Sequence, residues 1–206
     1  VLGDIYVVLF LGIFFTASPK SYINGMVKLV PPSGKQKAKD VVDKLGASLS
    51  RWLKGQIFAM LVVFVLSAIG LLIIDVPMWL VLSLMAGLLN FIPNFGPLIA
   101  MIPAVLVGFL QGPTTALVVA GLYITVQILE SNFVTPQIQK RMLSIPPALI
   151  IIAQLIMGVL TGGWGLVLAT PVMVVLMVLV RELYLTRFDA EEVQKSVETK
   201  IEGEKK

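Results

Sequence analysis

The chain has 206 residues, of which 57% are hydrophobic and only 14% charged, and its formal net charge is +4. Its mean hydropathy is +0.94; a soluble domain carries about a quarter charged residues, so this chain has too little polar surface for a water-facing globule and lipid must cover part of it. There is no cysteine and no histidine, which removes thiolate and imidazole metal ligands, the Cys-His and Ser-His pairs and the commonest general base. The chain is therefore read as a non-enzyme with no cofactor and no metal centre.

Val1 opens inside an apolar run, Leu2 to Phe15, without the basic start and small-residue cleavage site of a signal peptide. Residues 1–17 are expected to be a truncated membrane helix whose preceding part is missing. Residues 18–54 form a basic stretch holding Lys20, Lys28, Lys35, Lys37, Lys39, Lys44, Arg51 and Lys54 against Asp40 and Asp43. Within it Ser33 and Gln36 have capping-box spacing, and Ala38, Val41, Val42, Leu45, Leu49, Trp52 and Leu53 recur on one face. A basic amphipathic helix lying along the cytoplasmic interface is predicted, with Trp52 near the headgroups.

Residues 55–180 are the transmembrane core. Ile57 to Ile74 is long enough to cross most of a bilayer and stops at Asp75-Val76-Pro77. Met78 to Ile92 and Leu98 to Leu110 are shorter than a full span and are joined by Pro93-Asn94-Phe95-Gly96-Pro97, which reads as a hairpin. Gly112-Pro113 turns the chain into Thr114 to Leu129, and Glu130 to Pro147 reads as a polar connection. Ala148 to Leu160 and Leu166 to Val180 form a second short pair about Gly162-Gly163-Trp164-Gly165. Residues 181–206 read as a cytoplasmic tail. The fold class is all-α, a polytopic transmembrane helical protein with two short, Pro/Gly-broken hairpins. Re-entrant hairpins and ordinary spans with tight turns give the same charge pattern, and in both all 16 Lys and Arg fall on the cytoplasmic side.

Each half has one span and then a broken hairpin, and opposed broken segments mark the midplane site of many transporters. The residues predicted to line a substrate or ion pathway are Asn90, Pro93, Asn94, Gly96 and Pro97 at the first tip, Gly162, Gly163 and Gly165 at the second, and Gln127, Glu130 and Asn132 between them. Glu130 is the carboxylate of interest, because an ionisable group against an apolar run is a functional candidate. The blander reading makes it an interfacial carboxylate paired with Lys140 or Arg141, or a cap of the break ahead of Pro136, and Asn94 likewise a turn former. Freed carbonyls at the first tip are expected to meet a cation or a hydroxyl-rich solute. No P-loop, dinucleotide or nucleic-acid pattern is present.

The run Leu89-Asn90-Phe91-Ile92-Pro93-Asn94-Phe95-Gly96-Pro97 with Pro103, the segment Gln127 to Pro136, and Gly162-Gly163-Trp164-Gly165 leading to Ala169-Thr170-Pro171 resemble the autoinducer-2 exporter family. Val30-Pro31-Pro32 and Lys54-Gly55-Gln56 are similar as well, while Asn94 stands where a tyrosine is frequent. The resemblance implies a prokaryotic inner-membrane transporter of about eight segments, of which this chain is the later part. It also implies homo-oligomers and export of a small solute such as autoinducer-2, or exchange of sodium or lithium for protons. A channel and a non-transporting membrane scaffold are the competing readings. Partners are then the lipid bilayer, a small solute or monovalent cation, and further copies of the chain.

Overall fold

The computed structural model describes residues 30–139 and 146–185, with isolated positions 12, 17, 23, 25, 27 and 28. The expected first span, the Lys140-Arg141 connection and the tail beyond residue 185 lie outside the described residues. The chain divides into two compact units, Val1–Gly46 and Ala47–Lys206.

In the first unit a 3-10 turn, Pro32–Gly34, closed by Gly34 N–H donating to the Pro31 carbonyl at 2.9 Å, starts helix α1, Lys35–Ile73. Proline suits this entry because its missing N–H would be unpaired in a first turn anyway. Lys35, Lys37, Lys39 and Asp40 are exposed and Val41 is buried, as the amphipathic pattern predicts. Gln36 donates to Asp40 one turn on, at 2.9 Å.

In the second unit, from Ile57 onward, α1 carries no charge and is apolar on every face apart from Ser67. Ala59, Val63, Ser67 and Leu71, four residues apart, are buried, while Ile57, Leu61, Val65 and Ile69 point outward. A helix hydrophobic all round belongs inside a large core or in a membrane, and its length and composition suffice to cross one. It stops where expected: Asp75 takes a left-handed conformation, φ 60°, and Val76 N–H reaches back to the Leu71 carbonyl at 3.0 Å. That is the bond pattern of a Schellman end, and Pro77 prevents any continuation.

Helix α2 is Trp79–Leu89, α3 is Phe95–Gln111 and α4 is Pro113–Leu129. Helix α4 does not give way to a polar connection at Glu130. It passes through a π-helical turn, Glu130–Val134, into α5, Thr135–Gln139, so that Pro113–Ile138 is a second stretch long and apolar enough to span. Helices α6, Pro147–Thr161, and α7, Gly163–Val180, are separated by Gly162 alone, and α7 together with the residues to Tyr184 is the third such stretch. Among the described residues there is no strand, and the all-α membrane architecture stands.

The main core joins α1 to α4 through Val63, Leu71, Leu82, Ala86, Ala100, Ala104, Val119 and Tyr123. Small residues let the backbones close in: Gly108 lies against Ala116, and a Cβ on Gly87 would stand 2.9 Å from the Met60 carbonyl. Lipid offers no hydrophobic drive between helices, so such close van der Waals packing must hold them. A second cluster gathers Trp52, Phe91, Ile150, Val174 and Met177. Trp52 is 8% exposed and meets the Phe91 ring edge-on, with centroids 5.7 Å apart. Its indole is drawn in because the α2–α3 turn supplies an aromatic partner that the sequence pattern of α1 alone cannot reveal.

Candidate functional site

The first turn is tighter than the sequence suggests. Asn90–Asn94 are non-helical and Phe95 already begins α3. Asn94 holds the bend at φ 68° and ψ −50° with its side chain exposed, the centre of a rare and strained γ-turn that Phe95 N–H closes on the Pro93 carbonyl. Gly96 permits the next step: a Cβ there would overlap the Leu89 carbonyl. Pro97 follows within the first turn of α3, where a proline lacks nothing it needs.

The carbonyls freed by this break do not face open water. Gln56 of α1 donates its amide to the Asn90 carbonyl, and Gln154 of α6 donates to the Pro93 carbonyl, both at 2.7 Å. Pro93 O also accepts from Phe95 N–H at 2.9 Å, which fills both of its lone pairs. Of these two carbonyls, that of Pro93 has no lone pair left for a ligand, while that of Asn90 keeps one. The Gln56 bond sets this tip level with the start of the outward-facing apolar stretch of α1, and at the other end Gln111 donates to the Asp75 carbonyl at 2.7 Å. Helix α3 therefore returns the full length of that stretch.

The second tip repeats the device. Gly162 has φ 66° and ψ −143°, a region reserved for glycine, and ends α6 while starting α7. A Cβ on Gly165 would overlap the Met157 carbonyl, as one on Gly96 would overlap that of Leu89. Gly163, by contrast, has open space around it and lies within the helix. The expected non-helical stretch from 162 to 165 shrinks to one residue, because glycine lets the two helices meet backbone to backbone.

Glu130 belongs to neither tip. The Gly70 backbone lies against Leu122 and that of Gly55 against Ile138, so α1 and α4–α5 run antiparallel in a fixed register. Interpolation puts Glu130 level with residues 62–63 of α1, roughly 8 Å inside the apolar stretch that opens at Ile57 at 1.5 Å per residue. It is not at a span end. Its carboxylate accepts from Thr135 Oγ1 at 2.8 Å and Gln127 Nε2 at 3.3 Å, with Ser131 Oγ at 3.5 Å.

The π turn explains this cluster. Pro136 has no N–H and its ring crowds the carbonyl four residues earlier, and widening the helix takes up that strain, with Thr135 N–H bonded to the Glu130 carbonyl. Residue i+5 then stands over residue i, which delivers the Thr135 hydroxyl to Glu130. Asn132 is exposed, and its amide caps the Ile128 carbonyl at 2.8 Å. It supports the widened turn and does not touch the carboxylate.

The structure thus joins Gln127 and Glu130, joins the first tip to α6, and leaves Asn94 and Gly162 as exposed turn residues with Gly163 exposed at the start of α7. Thr135 was visible in the sequence only as a hydroxyl near Glu130, Gln56 and Thr170 only within the runs that resemble the family, and Gln154 was not singled out. Gln154 was legible in one respect, as a lone amide inside the apolar run Ala148 to Leu160.

The family model for AI-2E family transporters matches residues 1–185. Among similar proteins, YrrI of Bacillus subtilis (strain 168) is 32% identical over 73% of this chain and 43% of its own length. YueF of the same organism is 32% identical over 71% of this chain and 40% of its own. Both carry transport-protein names. The AI-2 transport protein TqsA of Escherichia coli (strain K12) is 30% identical over 50% of this chain and 30% of its own length. The chain spans less than half the length of these relatives. It belongs to the AI-2E transporter family.

Proposed function

We propose that this member of the AI-2E family is the later part of a secondary transporter that exports a small polar solute, such as autoinducer-2 or a related metabolite, across a prokaryotic inner membrane. The observation that carries the reading is Glu130: a carboxylate ringed by Thr135, Gln127 and Ser131, set inside an apolar helix at a π turn. Intramembrane ionisable groups and π turns both concentrate at functional sites. In a chain without histidine, Glu130 is the group through which proton coupling runs. The name of TqsA supports the solute class.

The pathway passes between the Asn90–Pro97 turn and the α6–α7 hairpin. The length of α6 supports a re-entrant second hairpin: eight residues separate Gln154, level with the first tip, from Gly162, a rise of about 12 Å. The apolar part of α1 rises about 24 Å, so the second tip stops near mid-depth while the first hairpin crosses. The Lys- and Arg-rich segments face the cytoplasm, and the assembly is a homo-oligomer.

Exchange of sodium or lithium for protons is the second reading, and Glu130 favours it too, since an antiporter needs a titrating carboxylate. Flux of candidate solutes and of sodium-driven protons in proteoliposomes of the full-length protein separates the two. Glu130→Gln should abolish coupled flux while Asp75→Asn leaves it intact. A protein inert towards every solute and ion would instead be a membrane scaffold.

A further inference from the structure

Two side chains at the root of the second hairpin bury polar atoms that have no hydrogen-bond partner among the described residues: Gln154 Oε1 and Thr170 Oγ1. Gln154 is 0% exposed and Thr170 4%. They lie at one level. Ile150 of α6 and Val174 of α7 share one packed cluster, and Gly158 and Leu166 meet nearer the tip. Antiparallel helices in that register bring Gln154 and Thr170 opposite each other, one turn from Ile150 and Val174. Both project from the buried face, since residues four apart stand one above the other.

The Gln154 amide nitrogen is engaged by the Pro93 carbonyl, which fixes its oxygen as the free end. Thr170 Oγ1 bonds to neither its own helix nor a neighbour among the described residues. Pro171 has no N–H to give the Val167 carbonyl one turn before it. Two side-chain oxygens, one a pure acceptor and the other a hydroxyl that can also accept, are therefore buried here without a partner among the described residues, and a buried polar atom in that condition costs about 1–3 kcal/mol.

We propose that Gln154 Oε1 and Thr170 Oγ1 are ligands of a dehydrated monovalent cation held in the seam of the second hairpin, with the Val167 carbonyl as a third oxygen. Neutral oxygen dipoles on broken membrane helices replace the hydration shell of such ions. A divalent ion calls for carboxylates, and among the described residues no cluster of three acidic side chains exists. Glu130 is separate from this level, so the ion and the proton have different ligands. In the proposed transporter this is the coupling-ion site, and that role rests on the transport reading. Ion binding itself does not.

The test is thermal unfolding of the full-length protein in detergent with sodium, lithium, potassium or choline chloride at equal ionic strength. Ligands that bind only the folded state raise Tm. Sodium or lithium should raise it above choline in the wild type. Thr170→Val, similar in shape, should lose that rise, and Thr170→Ser should keep it. Identical Tm in all four salts, or an undiminished rise in Thr170→Val, overturns the proposal. If Thr170→Val does not fold, Thr170→Ala takes its place with the same two outcomes. Flux without a cation-dependent Tm sinks this site and leaves the transport reading standing. A cation-dependent Tm without flux does the reverse.

Discussion

Gln154 and Pro93, 61 residues apart, are joined by a 2.7 Å hydrogen bond that ties the second hairpin to the tip of the first. Gln56 holds the same turn from the other side through Asn90. Each bond is worth about 1 kcal/mol net, so Gln56→Leu and Gln154→Leu should each lower stability by about that amount. Once one anchor is gone the turn is released, and the second loss should cost less. A double-mutant cycle in chemical or thermal unfolding should show a coupling of at least about 0.5 kcal/mol, and strict additivity would mean that the turn is held by something else.

The two hairpin glycines predict a contrast among alanine substitutions. Gly96→Ala and Gly165→Ala drive a Cβ into a backbone carbonyl that cannot move without shifting a helix. Overpacking of this kind typically costs about 1–3 kcal/mol or more, and both variants should express poorly or lose their sharp Tm. Gly163→Ala meets open space on a helix, where alanine is favoured by about 0.5–1 kcal/mol. Its Tm should be unchanged or higher, and a collapse there would show that the second tip is packed more closely than described.

Pro136→Ala should separate stability from function. Restoring the missing N–H lets the π turn at Glu130–Val134 relax to α geometry, and proline is worth about 3 kcal/mol less than alanine in a helix interior. Tm should rise. The Thr135 hydroxyl would then rotate away from Glu130, and coupled flux should fall. A variant that transports as well as the wild type would show that the 2.8 Å Thr135–Glu130 bond is incidental.

Sidedness can be read directly, because the chain has no native cysteine. Ser33→Cys and Ser196→Cys should react with an impermeant maleimide only from the cytoplasmic side, and Asp75→Cys, on an exposed turn, only from outside. Outside labelling at position 33 would reverse the whole orientation.

Composition and hydropathy by themselves determined that the chain is an all-α membrane protein, and they located its breaks at Asp75–Pro77, near Pro93 and Asn94, at Gly112 and at Gly162. Those features are local: glycine and proline set backbone angles wherever they stand, and apolar length needs no partner to be recognised. The extent of α4 was not legible, because Pro136 reads as a stop in one dimension and only the i+5 bonding of the π turn shows how the helix passes it. Nor were Gln56, Gln154 and Thr170. Their importance lies in which carbonyl each amide reaches and which buried oxygens are left over, and both follow from the register between helices that are far apart in sequence. Glu130 was found from sequence as a charge beside an apolar run, but its place inside the apolar length of α1 was decided by two glycine contacts, Gly55 with Ile138 and Gly70 with Leu122.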